Sequence, residues 1–125
     1  MIKKKFLKTA RNVIDLEIKA LQKLKKSLNK SFGDAVIKIS NCSSKVVLCG
    51  VGKSGLVASK IAATLSSVGT PSFYLSASDS SHGDLGSITK RDVLILISYS
   101  GRSNELKNII QYANRNKILF LSSLD

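Results

Sequence analysis

The stretch KVVLCGVGKSGLVASKIAATLSSVGTP, residues 45–71, restricts what this chain can fold into more than any other segment. Val46, Val47 and Leu48 form a short unbroken apolar run, the kind that a strand buried on both faces of a parallel sheet requires. The run stops at Gly50-Val51-Gly52, and from Leu56 the apolar spacing becomes helical, with Val57, Ile61, Ala62 and Leu65 on one side. Val68-Gly69 closes that helix, since glycine accepts the left-handed conformation a helix end often needs. A strand therefore passes through a glycine turn straight into a helix. In such a junction the unpaired N–H groups of the first helical turn, with the positive end of the helix dipole, face whatever lies beyond the strand. Lys53 and Ser54 stand at that mouth. The chemistry this combination suits is anion binding, most simply a phosphate held by backbone N–H groups, a hydroxyl and an ammonium.

The glycine turn fits more than one motif. Gly50-Val51-Gly52-Lys53-Ser54-Gly55 satisfies G-x-G-x-x-G, and Asp79 lies at a suitable distance to serve as a ribose-binding acid, so a dinucleotide-binding oxidoreductase is one reading. A nucleotide P-loop is excluded, because the glycine it needs five places before Gly52 is Val47, inside the strand.

At 125 residues the chain can bury one core, and no long Pro/Ser/Gly linker divides it. No apolar run approaches a membrane span, and Asp15, Glu17 and Lys19 interrupt what would be a signal-peptide core, so a cytoplasmic protein is expected. Cys42 and Cys49 form neither a C-x-x-C pair nor part of a zinc set, and no metal or cofactor is expected. The net charge is +12, of which residues 1–30 carry +8 through ten Lys or Arg against Asp15 and Glu17. Basicity confined to one terminus, without a helix-turn-helix, zinc-finger or RNA-binding signature, describes a solvated lysine-rich helix better than a nucleic-acid surface.

That helix is read from about Phe6 to Leu28, where Val13, Ile14, Leu16, Ile18, Ala20, Leu21, Leu24 and Leu28 make a broad apolar stripe. The stripe suits either the domain's own sheet or another subunit. Asp34 is the expected N-cap of a second short helix through Val36, Ile37 and Ile39. Beyond residue 70, Pro71 to Leu75 is a short aromatic-rich strand followed by a polar loop, residues 76–86, that holds the only histidine, His82. His82 there is a loop-packing residue or a site residue. Val93 to Ile97 is the strongest strand, and it empties into Ser98-Tyr99-Ser100-Gly101-Arg102-Ser103-Asn104-Glu105 before a helix with Leu106, Ile109, Ile110 and Ala113 inward. Ser98, Ser100 and Ser103 can donate to phosphate oxygens, and Gly101 permits close backbone approach. A helix cap accounts for one of these serines, not three. Lys117 to Ser122 reads as a fourth strand.

Two phosphate-type loops after alternating strands, GVGKSG and SYSGRSNE, with SSHGDLG between them, resemble the sugar isomerase (SIS) domain. More specifically, the order GxGKSG, GTPSF, HGDLG and ISxSGxSxE resembles the KpsF/GutQ-type D-arabinose-5-phosphate isomerases, over roughly residues 43–125. The resemblance implies aldose–ketose isomerisation of arabinose 5-phosphate and ribulose 5-phosphate through an enediol, without a cofactor, in an enzyme that supplies 3-deoxy-octulosonate and hence lipopolysaccharide synthesis. It implies phosphate binding by Ser98, Ser100, Gly101 and Ser103 with Ser54, and functional roles for Lys53 and Glu105; His82 falls at the edge of the site. A phosphosugar partner and a homo-oligomer are implied with it. A noncatalytic sugar-phosphate-binding SIS module is the alternative, and the dinucleotide oxidoreductase ranks third.

The fold so implied is a three-layer α-β-α sandwich of flavodoxin-like, nucleotide-binding topology, with a parallel sheet in the order 2-1-3-4. An N-terminal helical segment, residues 1–42, is expected to precede the N-terminal part of a SIS domain, residues 43–125. The family continues into further SIS sequence, which contributes another glutamate and a histidine, and into paired CBS domains. Those parts are absent here, so the expectation is a fragment or truncated product with an exposed last strand, in which phosphate binding survives where turnover does not. Two further departures are Leu56, where the family often has histidine, and Arg102, where it often has glutamate.

Overall fold

A computed structural model describes residues 1–80, 84–99 and 104–122, with Asp79 and Ser80 as backbone alone. The chain forms two compact units, Met1–Asp34 and Ala35–Asp125. The first contains α1 (Ile2–Ser27), longer at its start than the apolar stripe indicated, and none of its residues is buried. Helix α2 (Lys30–Ser40) begins five residues earlier than a cap at Asp34 would set it. Asn29 caps it: its Oδ1 accepts the Ser31 N–H at 2.9 Å and the Ser31 hydroxyl at 2.6 Å. Asp34 lies inside the helix, where a short acid has no unpaired N–H to accept from, so Asn29 takes the role.

The second unit is a four-stranded parallel sheet in the order β2-β1-β3-β4, as the strand sequence implied. Strand β1 (Val46–Gly50) is buried along its whole length and sits between β2 (Ser72–Ser76) and β3 (Val93–Ile97). β4 (Leu119–Ser122) flanks β3. Side chains alternate between the two faces, as the pleat demands. Val46 and Leu48 pack with Ala58 and Ala62 of α3 (Lys53–Ser67), and with Tyr74, Ile95 and Ile97. Val47, Cys49, Leu94 and Leu96 pack on the other face with Leu106, Ile109 and Ala113 of α5 (Asn104–Arg115). Helices thus cover both faces of a parallel sheet, which is why β1 and β3 carry unbroken apolar runs.

Several local details differ from the pattern-based reading. Helix α3 starts at Lys53, and Val57 is 50% exposed; the inward stripe is Gly55, Ala58 and Ala62, flanked by Ile61 and Leu65. Small residues win these positions because the helix lies close against β1. The polar loop after β2 contains one turn of helix, α4 (Ala77–Ser80), and a 3₁₀ turn at Asp84–Ser87. Lys117 is not in a strand. It adopts φ 58° and closes α5, with the Ile118 N–H reaching the Ala113 carbonyl at 2.8 Å. The end of α3 closes the same way around Gly69, φ 95°, with the Thr70 N–H on the Leu65 carbonyl at 2.9 Å.

At the amino ends of the strands, Asp92 is 2% exposed and ties β3 to β1. Its carboxylate accepts from Lys45 Nζ at 2.9 Å, the Lys45 N–H at 3.2 Å and the Thr89 N–H at 2.9 Å. Burial alone would raise its pKa. Donation from the Lys45 side chain, the Thr89 N–H, Ser44 and the Lys45 N–H outweighs burial and holds the carboxyl below its ordinary range.

Candidate functional site

Parallel registry decides which residues can share a site. Gly50, the last residue of β1, is paired with Ser76, the last of β2, and with Ile97, the last of β3. Three strands therefore end side by side, and two of them lead into helices on opposite faces, α3 after β1 and α5 after β3. Adjacent strands whose following helices diverge in this way leave a crevice at their carboxyl ends, where open α/β sheets bind ligands.

The glycine turn is shaped for the close approach of α3. A β-carbon on Gly50 would stand 2.8 Å from the Ser54 carbonyl group, so only glycine lets the first helical turn rest on the strand end. Gly52 has φ 60°, a left-handed value that glycine takes without strain. Tyr74 of β2 supports the turn from below: its hydroxyl donates to the Gly50 carbonyl at 3.5 Å. A β-carbon on Gly55 would come 2.7 Å from that hydroxyl. Helix α3 has no side-chain cap at Gly52; the Gly55 N–H donates to the Gly52 carbonyl at 3.0 Å, while the N–H groups of Lys53 and Ser54 have no carbonyl within the helix to reach. Lys53 is the first residue of α3 and exposed; Ser54 is the second and half-buried.

On the other side of the crevice, Ser98 follows β3 directly and is half-buried, and Glu105 is the second residue of α5. An acid in the first helical turn also complements the dipole. The structure thus brings Lys53, Ser54, Ser98 and Glu105 to one edge of one sheet. His82, Ser100, Gly101 and Ser103 lie outside the described residues, as does the side chain of Asp79. Leu56 is 72% exposed beside the turn. Pattern reading missed two neighbours of the turn: Tyr74, which looked only like a strand aromatic, and Ser76, which registry sets next to Gly50. The doubled hydroxyls of Ser76 and Ser78 at a strand end were the available signal.

Cys49 takes no part in this chemistry. It is fully buried in the core, and burial pushes its thiol up to about 11 despite a hydrogen bond with the Gly50 backbone. Among the described residues no His/Cys/Asp/Glu group could hold a metal ion, and no helix is long and apolar enough to cross a membrane.

The sheet and the glycine turn define an open α/β protein with a crevice at the switch between two diverging helices. Comparison with known proteins is more specific. The SIS domain family matches residues 38–122, and the chain belongs to that family. It is 42% identical over 116 residues to arabinose 5-phosphate isomerase KdsD of Yersinia pestis, a match that covers 93% of this chain and 35% of that protein. Arabinose 5-phosphate isomerase GutQ of Escherichia coli K12 is 42% identical over 116 residues, with 93% and 36% covered. This chain therefore spans about a third of the length of these relatives. Among solved structures, c3406 of Escherichia coli CFT073, in complex with arabinose 5-phosphate, superimposes with a TM-score of 0.87 at 36% identity, covering 94% of this chain and 63% of that one.

Proposed function

We propose that this chain carries the phosphate-binding half of a phosphosugar aldose–ketose isomerase site, acting on D-arabinose 5-phosphate and D-ribulose 5-phosphate in the cytoplasm as part of a homo-oligomer. The observation that supports the reading is the pairing of Gly50 with Ile97, which sets the glycine turn beside the end of β3, the strand that Ser98 follows. The names of the relatives supply the substrate.

In this reading the phosphate sits on the first turn of α3 and against Ser54, Ser98, Ser100 and Ser103, with Gly101 allowing the serine loop close to it. Isomerisation then moves a proton between adjacent sugar carbons. A base takes the carbon-bound proton, an acid serves the oxygens, and positive charge supports the enediolate that forms in between. Lys53 supplies that charge, and Glu105 is the acid–base group. His82 belongs at the edge of the site. No cofactor is required, because the electrons that leave one carbon arrive at the next within the same molecule.

Incubating the protein with arabinose 5-phosphate and measuring ketose formation tests the reading. Turnover that disappears in Lys53→Ala and Glu105→Gln is the expected result; absence of both turnover and phosphosugar binding in the parent chain would overturn it. Ser100→Ala and Ser103→Ala should each weaken phosphosugar binding by roughly 1–3 kcal/mol, the loss of a donor to a charged group.

A second reading is a noncatalytic sugar-phosphate-binding module. Saturable binding without ketose formation distinguishes it. Membership of the SIS family weighs against the dinucleotide reading that the glycine pattern alone allowed.

A further inference from the structure

Gly55 is the third residue of α3, buried and helical, a place where alanine is ordinarily the better helix former. Backbone conformation therefore does not call for glycine there, and the reason lies in space. A β-carbon on Gly55 would stand 2.7 Å from the Tyr74 hydroxyl oxygen, closer than unbonded carbon and oxygen come, and 3.2 Å from the Gly50 carbonyl oxygen.

Tyr74 stands opposite Leu48 in the register of β1 and β2, and it packs with Val46, Leu48, Ala58 and Ala62 between the sheet and α3. From there its hydroxyl reaches two residues further along β1, to the Gly50 carbonyl at 3.5 Å. At that length the hydrogen bond is weak, so the hydroxyl acts chiefly through the space it fills. It occupies the gap that the missing Gly55 side chain leaves, between the last residue of β1 and the first turn of α3. Gly50 meets the same turn from the strand side, where a β-carbon would come 2.8 Å from the Ser54 carbonyl. The angle at which the strand passes into the helix is thus set by three surfaces in contact: Gly50, Gly55 and the Tyr74 hydroxyl. That angle aims the N–H groups of Lys53 and Ser54.

We infer that Tyr74 is a positioning residue for the anion-binding turn, its hydroxyl and the bare α-carbon of Gly55 forming a matched pair that holds the first turn of α3 in its binding orientation. This rests on the phosphosugar reading of the α3 mouth and goes beyond it by naming what fixes the geometry of that mouth from below. Neither residue touches the ligand; both act through Lys53 and Ser54. A shift of about 1 Å in such donors is enough to cost tenfold or more.

Calorimetric titration of the full chain with arabinose 5-phosphate and with inorganic phosphate tests the pair, in the parent, Tyr74→Phe, Gly55→Ala and the double variant. Stoichiometry reports the folded fraction. Affinity reports the geometry of the folded molecules, which a residue serving stability alone leaves unchanged. Tyr74→Phe keeps the ring but opens a gap beside Gly55, and both ligands should bind about two- to fivefold more weakly. Gly55→Ala drives a methyl group against the hydroxyl and should weaken both by about tenfold or more. In the double variant the methyl takes the hydroxyl's place, and affinity should recover to about three- to tenfold above that of Gly55→Ala alone. A double variant that binds no better than Gly55→Ala would overturn the pairing. If Gly55→Ala does not fold, Tyr74→Phe decides: weaker binding of both ligands supports the inference, and parent-like affinity overturns it. Each of these outcomes leaves phosphosugar binding by the parent intact. A parent chain that binds neither ligand would overturn the phosphosugar reading and this inference with it.

Discussion

The two ends of the sheet use polar groups in opposite ways. At the amino end, Asp92 is buried and its oxygens are occupied by Lys45 and Thr89, so the charges there hold β3 to β1. At the carboxyl end, Lys53 is exposed, the first turn of α3 has no side-chain cap, and hydroxyls cluster at the ends of β2 and β3. The ion pair at one edge joins two strands, while the polar groups at the other edge gather around a helix mouth. The contrast separates mutations by what they should damage: stability at one end, binding at the other.

The largest expected effect lies between the two ends. Leu48→Ala removes a fully buried side chain from the central strand and should cost about 2–5 kcal/mol in denaturant unfolding. At the amino end, Asp92→Ala should cost about 2–3 kcal/mol, because it strips acceptors from buried N–H groups while the Lys45 side chain, 30% exposed, stays partly hydrated. The pH dependence follows from the depressed Asp92 pKa. Its contribution is fully present above the ordinary carboxylate pKa of about 3.9 and is lost as pH falls through the lower folded-state value. Thermal melts should therefore show a loss of stability below about pH 4 that Asp92→Asn makes shallower. If Asp92→Ala instead changed phosphosugar affinity without changing stability, the division between the ends would fail.

Smaller effects sharpen the comparison. Lys117→Gly should stabilise the chain by up to about 1 kcal/mol, since a non-glycine residue at φ 58° carries left-handed strain that glycine does not. Tyr74→Phe should cost less, about 0.5 kcal/mol, because its hydrogen bond to Gly50 is long at 3.5 Å.

How much of this could be read from the residues depended on the kind of signal. Val93–Ile97 was legible to the residue, because a strand buried on both faces must be apolar without interruption. The order of the strands followed from two glycine- or serine-terminated strand-to-helix junctions of one family pattern. Helix ends were less legible. Asp34 resembles a cap as strongly as Asn29 does, and Lys117 has no composition that marks it as a left-handed residue; tertiary closure by the buried Ile118 decides the second case. Lys53 and Ser54 could be assigned to a helix mouth from spacing alone, whereas Ser76 could not be placed beside them until registry was known. Registry is a long-range property, and a short strand such as SFYLS does not encode its neighbour.

The central claim is that the glycine turn and the serine loop grip one ligand. A double-mutant cycle with Ser54→Ala and Ser103→Ala, read as arabinose 5-phosphate affinity by calorimetry, tests it most directly. Two serines on the same phosphate should show a coupling of about 0.5–3 kcal/mol between their effects. Strict additivity, with each substitution indifferent to the other, would mean that the two loops do not meet on a common ligand.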